Sequence, residues 1–111
     1  MYKTFLNDTF TDYHYNKTIK GSTLRPAAIV MADSPEQAYE FTNNISGSWR
    51  DNSEVLEILT DSKRSLSEGD VIQDLTTFKY YVVEAFGVKE LTNEEIASVT
   101  FKSYFSNPPK R

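Results

Sequence analysis

One histidine, His14, stands in this chain of 111 residues, and the acidic residue nearest to it in sequence is Asp12. On a strand a spacing of two puts both side chains on one face, the arrangement a general base and its orienting carboxylate need. Tyr13 and Tyr15 flank His14, and a packed or solvated imidazole accounts for it without any chemistry. Cysteine is absent, which removes disulfides, thiolate metal sites and a cysteine nucleophile together. Metal ligation would rest on oxygen alone, and neither Asp51-Asn-Ser-Glu54 nor Asp61-Ser-Lys-Arg64 has the spacing of a calcium loop. Gly21, Gly47, Gly69 and Gly87 lie far apart, so no glycine-rich phosphate loop is present. Sixteen acidic residues guarantee carboxylate pairs by chance, which leaves such pairs without meaning for glycoside chemistry. The residues point to a protein that is not an enzyme, with no metal and no cofactor.

What remains is the distribution of charge. The net charge is −4, but residues 33–95 hold five basic and fourteen acidic side chains, a net −9, between flanks that are net basic. An acidic field disfavours nucleic-acid phosphates and favours a basic partner surface, through association rate and salt dependence. Direct nucleic-acid binding is therefore not expected; the expected partner is a protein with a basic surface. Asp51, Glu54, Glu57, Asp61, Glu68 and Asp74 are the candidate contacts. Tyrosine covers interfaces at low entropic cost and still hydrogen-bonds, and Tyr13 and Tyr15 lie outside any clean core pattern, so they join the candidates. A tyrosine-rich surface also suits a homo-oligomeric assembly component, and the N-terminal Tyr and Lys residues suit a nucleic-acid or small-ligand binder. These are the alternatives from other classes.

The elements that must position these residues are short. At 111 residues one core is expected, in a single domain over residues 1–106 with a flexible tail at 107–111. No apolar run reaches the length of a membrane span, and the expected location is a cytoplasm. Tyr2 to Leu6 and Phe10 to Ile19 are aromatic and β-branched, which predicts two strands of an irregular hairpin turning at Asn7-Asp8. Ala27 to Ala32 is a continuous apolar run, the pattern of a strand buried on both faces. Ser34 as N-cap, Pro35 at the first helical position and Gln37 completing a capping box predict a helix over 35–46, with Ala38, Phe41 and Ile45 on its inner face. Glu54 to Leu59 fits a helix by spacing at Val55 and Ile58, but its β-branched content and the hairpin that follows select a strand. Thr92-Asn-Glu-Glu95 offers a second capping box, while Val99-Thr100-Phe101 is as strand-like as it is helical.

Between these elements lies Arg64-Ser-Leu-Ser-Glu-Gly-Asp-Val-Ile72. It predicts a polar turn closed by Gly69-Asp70, a strand from Val71, a second turn, and one longer central strand from Phe78 to Gly87. Gly69 would supply a positive φ, and Ser65, Ser67 and Asp70 would bond the turn backbone. The full fold expectation is α+β: a small antiparallel sheet of four or five strands with one main helix packed on one face.

Arg64-Ser-Leu-Ser-x-Gly-Asp-Val-Ile72, then Tyr81-x-Val83, then Phe86-Gly-Val-x-x-Leu91, resembles the signature of the YodL-like group of small proteins carried by phages and other mobile elements. Ala32-Asp-Ser-Pro-Glu-Gln-Ala-Tyr39 is similar to the strand-to-helix part of that group, so the resemblance covers roughly residues 27–91. Glu68 stands where the group favours a small apolar residue, and Val88 where an aromatic is usual. The resemblance implies provenance and fold; it implies no common activity and no catalytic residue. Joined to the charge pattern, it gives the expected function: a phage or mobile-element accessory protein that binds and modulates a host macromolecule, for example as an inhibitor of a nucleic-acid-handling defence or host enzyme.

Overall fold

The computed structural model describes residues 1–44 and 47–102, and the side chains among them apart from those of 10–12. Its strands are β1 (Tyr2–Asn7), β2 (Thr23–Val30), β3 (Val55–Ile58), β4 (Val71–Asp74), β5 (Tyr80–Glu84), β6 (Gly87–Glu90) and β7 (Thr100–Phe101). They form one sheet in the order β3-β2-β1-β4-β5-β6, with every pairing along that path antiparallel. The short β7 lies parallel to β2 at Thr23 and Leu24. Three helices of six or seven residues accompany the sheet: α1 (Phe10–Asn16), α2 (Pro35–Phe41) and α3 (Asn93–Ser98).

Strand alternation distributes the core over both faces of the sheet. Phe5, Val71 and Val82 are register partners, and they pack with Leu24, Ile19, Leu91 and the Tyr13 ring from α1. Their neighbours Leu6, Ile72 and Val83 turn the other way and pack with Tyr2, Leu66 and Ala38 of α2. A third cluster forms near β3, where Trp49, 1% exposed, closes over Ala28 and Val30.

The sequence expectation of four or five strands under one main helix is therefore wrong: seven strands and three short helices are present among the described residues, and no single helix covers the sheet. Three local departures and one reading left open add up to this. Phe10–Asn16 is a helix and not a strand. Its N-cap Thr9 makes no side-chain cap bond and Lys17 ends it at φ 55, so the burial of Tyr13, and not capping, holds it against β propensity. The run from Phe78 to Gly87 is two strands and not one, because Ala85-Phe86 forms a two-residue turn before Gly87 at φ 103. Of Val99-Thr100-Phe101, left open between helix and strand, Val99 caps the end of α3 and Thr100–Phe101 form β7. The helix expected over 35–46 stops at Phe41, where the Thr42 hydroxyl donates to the Ala38 carbonyl at 2.8 Å and its N–H to Tyr39; Ile45 and Ser46 lie outside the described residues, as does the tail at 107–111.

Other local readings match. Within the Ala27-to-Ala32 run, residues 27–30 form the end of β2 with Ala27, Ala28 and Val30 fully buried, while Met31 and Ala32 lie past the strand and Met31 is exposed. Ser34 caps α2 by accepting from Gln37 N–H, though the Gln37 side chain returns to Asp33 N–H. Thr92 and Glu95 make both bonds of a capping box at α3. Residues 55–58 are strand. Among the described residues no helix is long and apolar enough to cross a membrane.

Candidate functional site

Among the described residues the Arg64-to-Asp70 turn is a highly connected polar site, and its connections run inward. Asp70 is fully buried. Its carboxylate accepts from Asn7 N–H at 2.7 Å, from Ser67 N–H at 2.8 Å, and from the two Arg64 Nη atoms at 2.8 and 3.0 Å. The Asn7 side chain donates to the Gly69 carbonyl at 2.9 Å and to Ser22 Oγ at 3.2 Å, and its Oδ1 accepts from Thr9 N–H and Oγ1. Gly69 holds φ +96, and a Cβ there would stand 2.9 Å from the Tyr13 ring. The turn thus clamps the end of β1 and α1 to the start of β4. Burial pushes the Asp70 carboxyl above its ordinary value, against the pull of Arg64 and of the Asn7 and Ser67 N–H groups. Because all four contacts are donors, the form the site accommodates is the carboxylate. No buried side-chain nitrogen or oxygen among the described residues lacks a partner.

The Asp12–His14 pair loses its geometric basis, since positions two apart on a helix do not share a face. His14 is exposed. Among the described residues no group of three His, Asp or Glu side chains is placed to hold a metal ion.

The candidate contact residues fall into two groups. Tyr13 is 4% exposed and faces the core, whereas Tyr15 is 85% exposed. Glu68 bonds Lys17 Nζ at 3.1 Å. Asp74 is occupied in the β4–β5 turn, accepting from Thr76 N–H at 2.8 Å, and those backbone bonds hold its carboxyl below its ordinary value. The other four, Asp51, Glu54, Glu57 and Asp61, are all exposed. They lie on or beside β3, the last strand at one rim of the sheet. Among the described residues none of the four joins an ion pair. Arg50, the cation beside Asp51 in sequence, is tied down: Nη1 donates to the Thr60 and Ser62 carbonyls at 2.7 and 2.9 Å.

The fold around this rim is set by Trp49. Ser48 caps the 3-10 turn Trp49–Asp51, the indole N–H donates to the Arg64 carbonyl at 3.0 Å, and Asn44 Oδ1 accepts from Trp49 N–H. The loop after α2 is thereby pinned under β3, which leaves Asp51 beside an open cleft of about 250 Å³ lined also by Asn43, Ser48 and Asn52. Two exposed apolar side chains at the rim, Leu56 and Met31, had no signal in the sequence. Their hydrophobicity reads as core, but Leu56 lies on the edge strand β3 and Met31 just past the end of β2.

No family model, no curated protein and no solved structure matches this chain.

Proposed function

We propose that this chain is a non-enzymatic accessory protein that binds a basic macromolecular surface through the rim at β3. One observation carries the reading: Asp51, Glu54, Glu57 and Asp61 are exposed together at one sheet edge without an ion pair among the described residues. Elsewhere Glu68, Glu90, Glu94 and Glu95 each have a lysine within 4 Å, and although Asp33, Glu36, Glu40 and Glu84 are also exposed without an ion pair among the described residues, they do not lie along this edge. Unmatched charge of one sign at a rim steers a partner of opposite sign and adds little to the stability of the fold. The resemblance of residues 27–91 to the YodL-like group directs the reading toward a host partner of a phage or mobile element, such as an enzyme that handles nucleic acid and so carries a basic surface. The burial of Tyr13 supports this reading over one built on an N-terminal aromatic surface.

The test is affinity capture from bacterial lysate with the wild type and with Glu54→Lys, Glu57→Lys and Asp61→Lys combined. Capture by the wild type that weakens as salt rises, and is lost in the triple variant, is the expected result. Identical capture and identical salt dependence in the two proteins would overturn the proposal.

A further inference from the structure

The rim at β3 has a second property besides its charge: among the described residues no strand pairs with its outer backbone edge. β2 is the strand with which β3 pairs, and Leu59 N–H donates to the Ala27 carbonyl at 2.8 Å. In an antiparallel ladder successive residues point their backbone groups to opposite sides. With Leu59 and Glu57 turned toward β2, the N–H and C=O of Ile58 face outward. The opposite rim, β6, is built differently: its Lys89 and Glu90 lie 3.8 Å from Glu95 and Lys79, so its charges are matched within the chain.

The register sharpens the contrast. Glu54 and Glu57 are three residues apart, a spacing that puts side chains on opposite faces of a regular strand. Here the pairing shifts, with Val30 opposite Val55 but Ile29 opposite Glu57. Met31 N–H donates to the Glu54 carbonyl at 2.9 Å, so Glu54 stands opposite Met31 while Glu57 stands opposite Ile29. Met31 and Ile29 share a face, and the bulge at Leu56 therefore brings both carboxylates to that same face. A strand added beyond β3 would meet a row of two acids on one face, with the exposed Leu56 between them.

We propose that the outer edge of β3 accepts an extended basic peptide as an added antiparallel strand, with alternate Lys or Arg side chains beside Glu54 and Glu57. This rests on the acidic-rim reading and names the form of its partner: a strand and not a folded basic surface. Backbone bonds to Ile58 supply part of the affinity, and the two carboxylates select the alternating cations. The occupant is chosen by charge complementarity, because a second copy of β3 in this position would bring Glu54 and Glu57 against their own kind.

The experiment uses the full chain and a blocked peptide of alternating lysine and valine, about six residues long to match a strand. Its fully N-methylated counterpart has the same charge and no backbone donor. The expected result is binding by the first peptide with slowed exchange of the Ile58 amide, and binding about tenfold weaker or more for the N-methylated one. Combined Glu54→Gln and Glu57→Gln should weaken the first peptide and flatten its salt dependence. Equal binding of the two peptides, both salt-sensitive and both weakened by the Gln variant, would overturn the added strand and leave the acidic-rim reading standing. Binding that ignores the Gln substitutions would overturn both. No binding by either peptide, with lysate capture still lost in the Lys variant, would overturn the added strand alone.

Discussion

At the joint between β1 and β4 a single carboxylate, Asp70, collects four donors from three residues and is fully buried. Along the rim at β3 four carboxylates stand in solvent, and among the described residues none has a cation. The same functional group thus does two unlike jobs in one small sheet. A buried charge costs several kcal/mol unless it is paired and hydrogen-bonded, so the joint must be complete or the fold fails. An exposed charge costs almost nothing to leave unpaired, and the rim is free to hold charge for another molecule. Residue type alone therefore separates neither role. Burial does.

The contrast breaks most visibly at its buried end. Asp70→Ala leaves the Asn7 and Ser67 N–H groups without their acceptor and takes from Arg64 the carboxylate it grips, and should cost about 3–5 kcal/mol in urea unfolding. A loss below about 1 kcal/mol, the size of an ordinary point substitution, would mean that the joint is no clamp. Gly69→Ala should cost about 2–4 kcal/mol, because the new Cβ meets the Tyr13 ring at 2.9 Å and φ +96 disfavours any side chain. Adding Tyr13→Ala removes the ring, so the steric part of the Gly69→Ala cost should shrink in the double variant and the backbone part remain.

A capping site lies between the two extremes. Thr92→Ala removes one half of the α3 capping box and should cost about 1 kcal/mol. The Glu95 half gives a pH signature. Bonding to Thr92 N–H holds the Glu95 carboxyl below its ordinary value of 4.5. Its contribution is present above that value and lost as pH falls through the lower folded-state pKa, so α3 should loosen in acid below about 4.5. Glu95→Gln should flatten that acid limb when the α3 amides are followed by hydrogen exchange. The smallest effect belongs to the rim: Glu54→Gln, Glu57→Gln and Asp61→Asn should each change stability by less than about 0.5 kcal/mol. A loss above about 1 kcal/mol for any of them would place that carboxylate with Asp70 and erase the contrast.

Some of this architecture is legible in the order of residues alone. The caps at Ser34-Pro35 and Thr92-Glu95, the apolar run that ends β2 and the positive φ at Gly69 all follow from signals within about four residues, where side chain and backbone meet without help from the rest of the fold. The acidic character of residues 33–95 is legible too. The helix at Phe10–Asn16 is not, because its residues favour strand locally and the burial of Tyr13 against Gly69 overrides them. The turn at Ala85-Phe86 is not, because its apolar residues look like strand until β6 folds back on β5.

By itself, then, the sequence determined where the capped helices α2 and α3 start and how much negative charge the middle of the chain carries. Tertiary structure alone decided what each charge does. Asn7 reaches Asp70 across 63 positions and Lys17 reaches Glu68 across 51, while Glu54 and Glu57 come to rest at a rim where no lysine among the described residues pairs with them. Local signals act over one turn of chain, but pairing and burial depend on which distant segments the sheet brings together. That is why Asp70 and Glu57, both plain acidic residues in the sequence, became a clamp and an open contact.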